Sequence, residues 1–139
     1  MATDEGLKAA LDRYEVAMDA LRNGDATPYI DSWARDADVT LYGAWGPVDQ
    51  GWETISDTLR WVARRFSGGT DEVELTLVGS SGDLAYSVGF ERDQVSIDHA
   101  PSQEMILRVT QVYRRIDGRW WVVHRHADVL PADQRKTHP

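Results

Sequence analysis

From Asp4 to Asn23 apolar residues return every third or fourth position: Leu7, Ala10, Leu11, Tyr14, Ala17, Met18 and Leu21 share one stripe. That period marks an amphipathic helix packed on a core, and Gly24 is a natural stop. In the following DATPYIDSWARDA, Thr27 suits an N-cap and Pro28 the first helical position. A second, short helix is therefore expected, with Tyr29, Ile30 and Trp33 on its apolar side. DVTLYG (Asp38 to Gly43) reads as a short strand, and GAWGPVDQG as a glycine-rich loop around Trp45. A third helix is predicted from about Trp52 to Phe66, where Trp52, Ile55, Leu59, Val62 and Phe66 lie on one face and SGGT ends the run.

The period then falls to two. Val73, Leu75 and Leu77 alternate with Glu72, Glu74 and Thr76, which predicts a strand with one buried face. SSGD turns the chain into Leu84 to Asp93, where Leu84, Tyr86, Val88 and Phe90 alternate with smaller residues. After the polar QVSIDHAPS, a long strand from about Gln103 to Arg115 reaches Asp117–Gly118, a strong hairpin signal, and returns as Arg119 to Asp128. The order α-α-β-α-β-β-β-β predicts an α+β fold with helices over one side of an antiparallel sheet. No linker or repeat interrupts it, so residues 1–130 are expected to form one domain and 131–139 a polar tail.

Composition removes whole classes of function. The chain has no cysteine, which excludes disulfides, thiolate nucleophiles and thiolate zinc sites. Its formal charge of -8 would repel a phosphate backbone, so no nucleic-acid partner is expected. No apolar run approaches the ~18 residues needed to cross a bilayer. The acidic start is unlike a signal or transit peptide, so a cytoplasmic protein is expected, without membrane association. Six tryptophans against two phenylalanines point to cavities for flat, apolar or aromatic ligands as well as to core packing.

The stretch WWVVHRHAD sets His124 and His126 two residues apart on the last strand, about 7 Å apart on one face. Such a pair can begin a metal site. The remaining histidines, His99 in a polar loop and His138 in the tail, do not complete one, and neither metal nor cofactor is expected.

The run LRVTQVYRRIDGRWWVVHRHAD, with its T-x-V-[aromatic]-x-R, DG-x-W and V-H-x-H elements, resembles the C-terminal hairpin of the nuclear transport factor two-like superfamily. It is most similar to the SnoaL-like and ketosteroid-isomerase-like branch and to the association domain of calcium/calmodulin-dependent protein kinase. RYEVAMDALRNGD likewise resembles the first helix of those proteins. The resemblance implies a cone: a curved antiparallel sheet wrapped round three helices, with a pocket at the open end. It also implies a homodimer packed sheet to sheet through the outer face.

The family's chemistry transfers unevenly. Tyr14 matches the oxyanion-holding tyrosine of the steroid isomerases, but their base position falls at Leu41–Tyr42 and their second acid near Leu107, so that reaction is disfavoured. Asp19 aligns with the aspartate of the scytalone-dehydratase-like members but points off the apolar stripe, and Arg108 and Asp128 make a weak match to the epoxide hydrolases. SnoaL-type cyclases use a pocket aspartate near the last strands. By alternation with Trp120 and Val122, His124 and His126 occupy that inner wall, with Trp121 and Arg125 facing outward. The expected site therefore has His126 as acid/base, His124 and Gln111 orienting it, and Tyr14 as oxyanion donor, with Trp33, Tyr42, Trp45 and Trp52 lining the pocket. Two functions follow from the resemblance. One is a cofactor-independent isomerase, dehydratase or cyclase acting on a small aromatic or polycyclic substrate. The other is a non-catalytic ligand-binding or oligomerisation module.

Overall fold

The computed structural model describes residues 4–131. Helix α1 spans Glu5–Arg22, and the Asp4 carboxylate caps it by accepting the Leu7 N–H at 2.6 Å. Its buried stripe is the expected one, with Leu11 half-buried at its edge and Arg22 added at its end. Helix α2 is a single turn, Thr27–Ile30. Trp33 falls beyond it and bridges to Val122 instead of continuing a helical face. Strand β1 (Thr40–Tyr42) is followed by an unpredicted strand β2 (Val48–Gln50), because the Trp45 loop doubles back as a hairpin. Helix α3 spans Trp52–Arg65 and runs straight into β3 (Phe66–Ser81), so the SGGT segment belongs to the strand. The long strands β4 (Leu84–Ile97), β5 (Gln103–Ile116) and β6 (Arg119–Val129) complete the chain. The expected tail lies outside the described residues apart from Pro131.

The strands form one curved, unclosed sheet in the order β2-β1-β6-β5-β4-β3. Neighbours are antiparallel except β1 and β6, which run parallel, so the sheet is mixed. The turn between β5 and β6 has Asp117 at φ 51 and Gly118 at φ 78, the left-handed pair that an Asp-Gly hairpin requires. The helices lie on the concave side, where Leu7, Met18, Trp33, Ile55, Leu59 and Trp120 make one core.

Three features of the sheet reverse what simple alternation predicts. In β4 the small residues Ala85, Ser87 and Gly89 face the helices, while Leu84, Tyr86 and Val88 face outward. At Gly89 the neighbouring strand enforces the small residue: a Cβ there would lie 2.1 Å from the Glu74 carbonyl oxygen of β3. In β3 an irregularity between Leu75 and Leu77 inserts an extra residue, which turns Leu77 outward. In β6, Tyr113 pairs with Val122 but Val112 pairs with His124, so Val123 is a bulged residue. One extra residue exchanges the two faces for the rest of the strand.

Candidate functional site

The β6 bulge decides which side chains reach the concave face. Trp120 and Val122 point inward before it; after it Arg125 and Ala127 do, and His124 and His126 point out. The expectation that the histidines line the inner wall, with Arg125 outside, is therefore reversed. Arg125 instead meets a charged cluster that α1, β3 and β4 assemble. Arg22 is the last residue of the α1 stripe, four after Met18, and Glu91 and Asp93 follow Ala85, Ser87 and Gly89 on the inner phase of β4. Asp71 of β3 is the direct cross-strand partner of Asp93.

Glu91 is the hub. Arg125 holds it in a two-point ion pair, Nη1 to Oε2 at 2.7 Å and Nη2 to Oε1 at 2.8 Å. Arg22 donates to Glu91 Oε1 at 2.8 Å and, through Nε, to Asp93 Oδ2 at 2.7 Å, and stands 3.5 Å from Asp71. The Tyr14 hydroxyl donates to Glu91 as well. Beside this cluster runs a neutral relay: Tyr29 donates to Gln111 Oε1, Gln111 Nε2 donates to the Tyr113 hydroxyl at 2.8 Å, and that hydroxyl meets Ser87 Oγ at 2.8 Å. Such fully bonded fork geometry is what permits charges at 0% exposure, as Glu91 has.

The ionisation states follow from the geometry. Burial by itself would raise Glu91, but Arg125 and Arg22 outweigh it and hold the carboxyl down at about 2. Burial raises Asp71, and its hydrogen bond to Asp93 adds to this, pushing it up to about 9. Asp71 and Asp93 otherwise present buried oxygens without partners. A proton on Asp71, donated to Asp93, supplies the missing bond. With Asp71 neutral, the two arginines balance Glu91 and Asp93. Tyr14 and Tyr29 are raised first by burial, so both remain hydroxyl donors.

A partly enclosed pocket of about 60 Å³ opens above the arginines. Leu59 and Val62 of α3, Leu41, Leu107, Ala127 and Phe66 supply apolar walls, and Arg22, Arg125 and Tyr29 reach its floor. Trp45 closes one side: its ring packs 5.1 Å from Phe66 and 6.1 Å from Trp61, with the Arg65 guanidinium 4.3 Å over its face.

The predicted site residues therefore separate. Trp45 lines the pocket. Gln111 and Tyr14 face inward but are committed to the buried network. Trp33 is wholly buried against Tyr29, with its indole N–H unpartnered, and belongs to the core. Trp52 sits at a distant rim under Arg35. Tyr42 is exposed on the convex face, edge-on to His124 at 5.5 Å and His126 at 5.6 Å. His124 Nδ1 is 2.7 Å from Thr40 Oγ1, and its basicity is lowered by partial burial and by His126. Trp121 shares the outer face with the histidines rather than opposing them, since the bulge separates their phases. Asp19 is exposed, as expected, and Arg108 faces outward in a two-point pair with Asp128.

The chain is thus a curved α+β cone whose helices fill its concave side, with an apolar pocket over buried arginines. The profile of the SnoaL-like domain matches residues 8–132, and the chain belongs to that family. Solved structures agree on the fold. A nuclear transport factor 2-like superfamily protein from Salmonella enterica serovar Typhimurium is 16% identical, with TM-score 0.76 over 95% of this chain and 94% of its own. A protein from Thiobacillus denitrificans, provisionally assigned as a calcium/calmodulin-dependent protein kinase type II association domain, is 21% identical, with TM-score 0.76 over 94% and 100%. A protein of unknown function from Pseudomonas putida, also nuclear transport factor 2-like, is 23% identical, with TM-score 0.68 over 95% and 90%. No curated protein matches the chain. No helix among the described residues is long and apolar enough to cross a membrane.

Proposed function

We propose that this chain is a homodimeric binding domain for a compact, mainly apolar or aromatic small molecule with one hydrogen-bond-accepting end. The observation that carries this is the pocket itself: apolar walls around a floor of Arg22, Arg125 and Tyr29. Apolar walls supply affinity, and a guanidinium floor orients an oxygen acceptor. At about 60 Å³ the closed pocket is smaller than one aromatic ring requires. A cavity of about 150 Å³ takes up benzene, so a single ring enters as the Trp45 side moves, and a polycyclic ligand would need a larger movement.

Proton-transfer catalysis is the second reading, and it has less support. Among the described residues the pocket-lining ionisable groups are Arg22, Arg125 and Tyr29, none of which is a base near neutral pH. Glu91 and Asp93 stand behind the arginines as bonded carboxylates. A role for His126 would need chemistry on the convex face.

The dimer is proposed through that convex face. It exposes the large apolar side chains Leu77, Leu84, Tyr86 and Val88, a grouping typical of contact surfaces. Two pairs of opposite charges on it are already joined, Arg108 with Asp128 and Arg92 with Glu74. A chain of charge -8 can meet its own copy only through a locally neutral face, because a two-fold contact sets each charge near itself.

The test is a titration of benzoate, phenol and benzyl alcohol against tryptophan fluorescence and ligand-observed NMR. Saturable binding that Ala127→Leu weakens by roughly tenfold or more is expected, since the added side chain fills the pocket. Binding untouched by Ala127→Leu, or no binding by any probe, would overturn the reading.

A further inference from the structure

The strand register draws one row of outward side chains across the whole sheet: Leu77, Val88, Thr110, His126, Tyr42 and Val48. The next row runs through Tyr86, Val112, His124 and Thr40. Both histidines thus sit at mid-sheet, amid apolar side chains that a sheet-to-sheet contact would take out of water. We propose that His124 and His126 make this contact acid-sensitive: a second copy of the chain packs on the neutral imidazoles and is released when they are protonated.

The proposal rests on the dimer reading and adds its regulation. For His124 the neutral state is the one the surroundings favour, through partial burial and the neighbouring His126. Tyr42 of β1 lies edge-on to both rings, and Thr40 meets His124 Nδ1 at 2.7 Å. From β5 the facing groups are Thr110, Val112, Arg108 and Arg114, and from β6 itself Trp121 and Asp128. Asp128 is the nearest carboxylate on the strand, but it is already held by Arg108 at 2.8 and 2.7 Å. Arg114 stands 3.8 Å from Asp36 and adds no negative charge of its own. An imidazolium here would be hydrated in the free protomer and poorly compensated in the dimer. Two-fold symmetry doubles the cost, since each face contributes both rings. The β6 bulge is what turns these side chains toward the partner rather than toward the pocket.

The experiment is sedimentation velocity on the full chain from about pH 7.5 to about pH 5.5, at several concentrations, beside the double variant His124→Gln/His126→Gln. The dimer Kd should rise by roughly tenfold or more over that range, and the double variant should hold its dimer with a flat profile. A wild-type dimer with unchanged Kd overturns the acid switch while leaving the dimer standing. A monomer at every pH removes the dimer reading and the switch with it. Persisting pH dependence in the double variant also refutes the assignment. Should that variant fail to fold, NMR titration of the wild-type imidazoles decides the matter. Both pKa values must be lower at dimer-forming concentration than in dilute protein, with exposed His99 as internal reference, and equal values sink the idea.

Discussion

Arg125 and Glu91 show what a buried charge requires of its neighbours. Removing one member of such a pair strands the other, at a cost of about 3–5 kcal/mol. Arg125→Met should therefore lower the urea midpoint sharply. Arg125→Met with Glu91→Leu should recover much of the loss, because Arg22 would still balance Asp93 beside a neutral Asp71. Asp71 supplies a second residue-scale prediction. Its folded pKa of about 9 lies above its ordinary 3.8, so the native state holds the extra proton between those values. The stability this confers is complete below about pH 4 and is lost as pH rises toward 9, by up to about 1.4 kcal/mol per pH unit. Asp71→Asn keeps a donor for Asp93 without the titration. Unfolding free energies at pH 5, 7 and 9 should show wild type losing ground to the variant as pH rises. Glu91 has the opposite sign: lowered from 4.5 to about 2, its contribution is present above 4.5 and fades as pH falls toward 2.

At the scale of elements, the long helices, the Asp-Gly hairpin and the strand count after α3 were legible because each rests on local pattern. The faces of the strands were not, because bulges and helix packing are tertiary. Leu84, Tyr86 and Val88 carry the stronger hydrophobic signal, yet the helices lie on Ala85, Ser87 and Gly89. The inner phase of β4 was thus ambiguous, and with it Glu91 and Asp93. Arg22 and Asp71 had a usable signal: Arg22 prolongs the α1 stripe, and Asp71 shares the phase of Val73 and Leu75. Arg125 had none, since nothing in WWVVHRHAD announces the extra residue at Val123. The bulge can be tested directly. Deleting Val123 removes the extra residue and leaves Val122 opposite Tyr113 and His124 opposite Val112 in a regular ladder, so Arg125 should stay inside, the histidines outside, and urea unfolding should remain cooperative. Val123→Ala, which keeps the count of residues, should cost only about 1–2 kcal/mol for a trimmed valine.

For the whole molecule the sheet serves two environments at once, a charged and apolar concave side under helices and a nearly neutral convex side with exposed aliphatic and aromatic residues. Because the two faces share only backbone, the pocket and the proposed dimer contact should be separable by mutation. Val88 is the position for that experiment: it stands in the outward row between Leu77 and Thr110, and is 37% exposed in the single chain. A glutamate there touches no buried group of its own protomer, so unfolding free energy per chain at low concentration should change by less than about 1 kcal/mol. In a two-fold contact the same change sets two carboxylates into an apolar interface, which like-charge repulsion and desolvation oppose by several kcal/mol. Val88→Glu should therefore run as a monomer in light scattering while retaining the circular dichroism of the wild type and its titration with benzoate. Loss of the benzoate response together with the dimer would mean that the faces are coupled through the sheet, and that the concave pocket depends on the contact behind it.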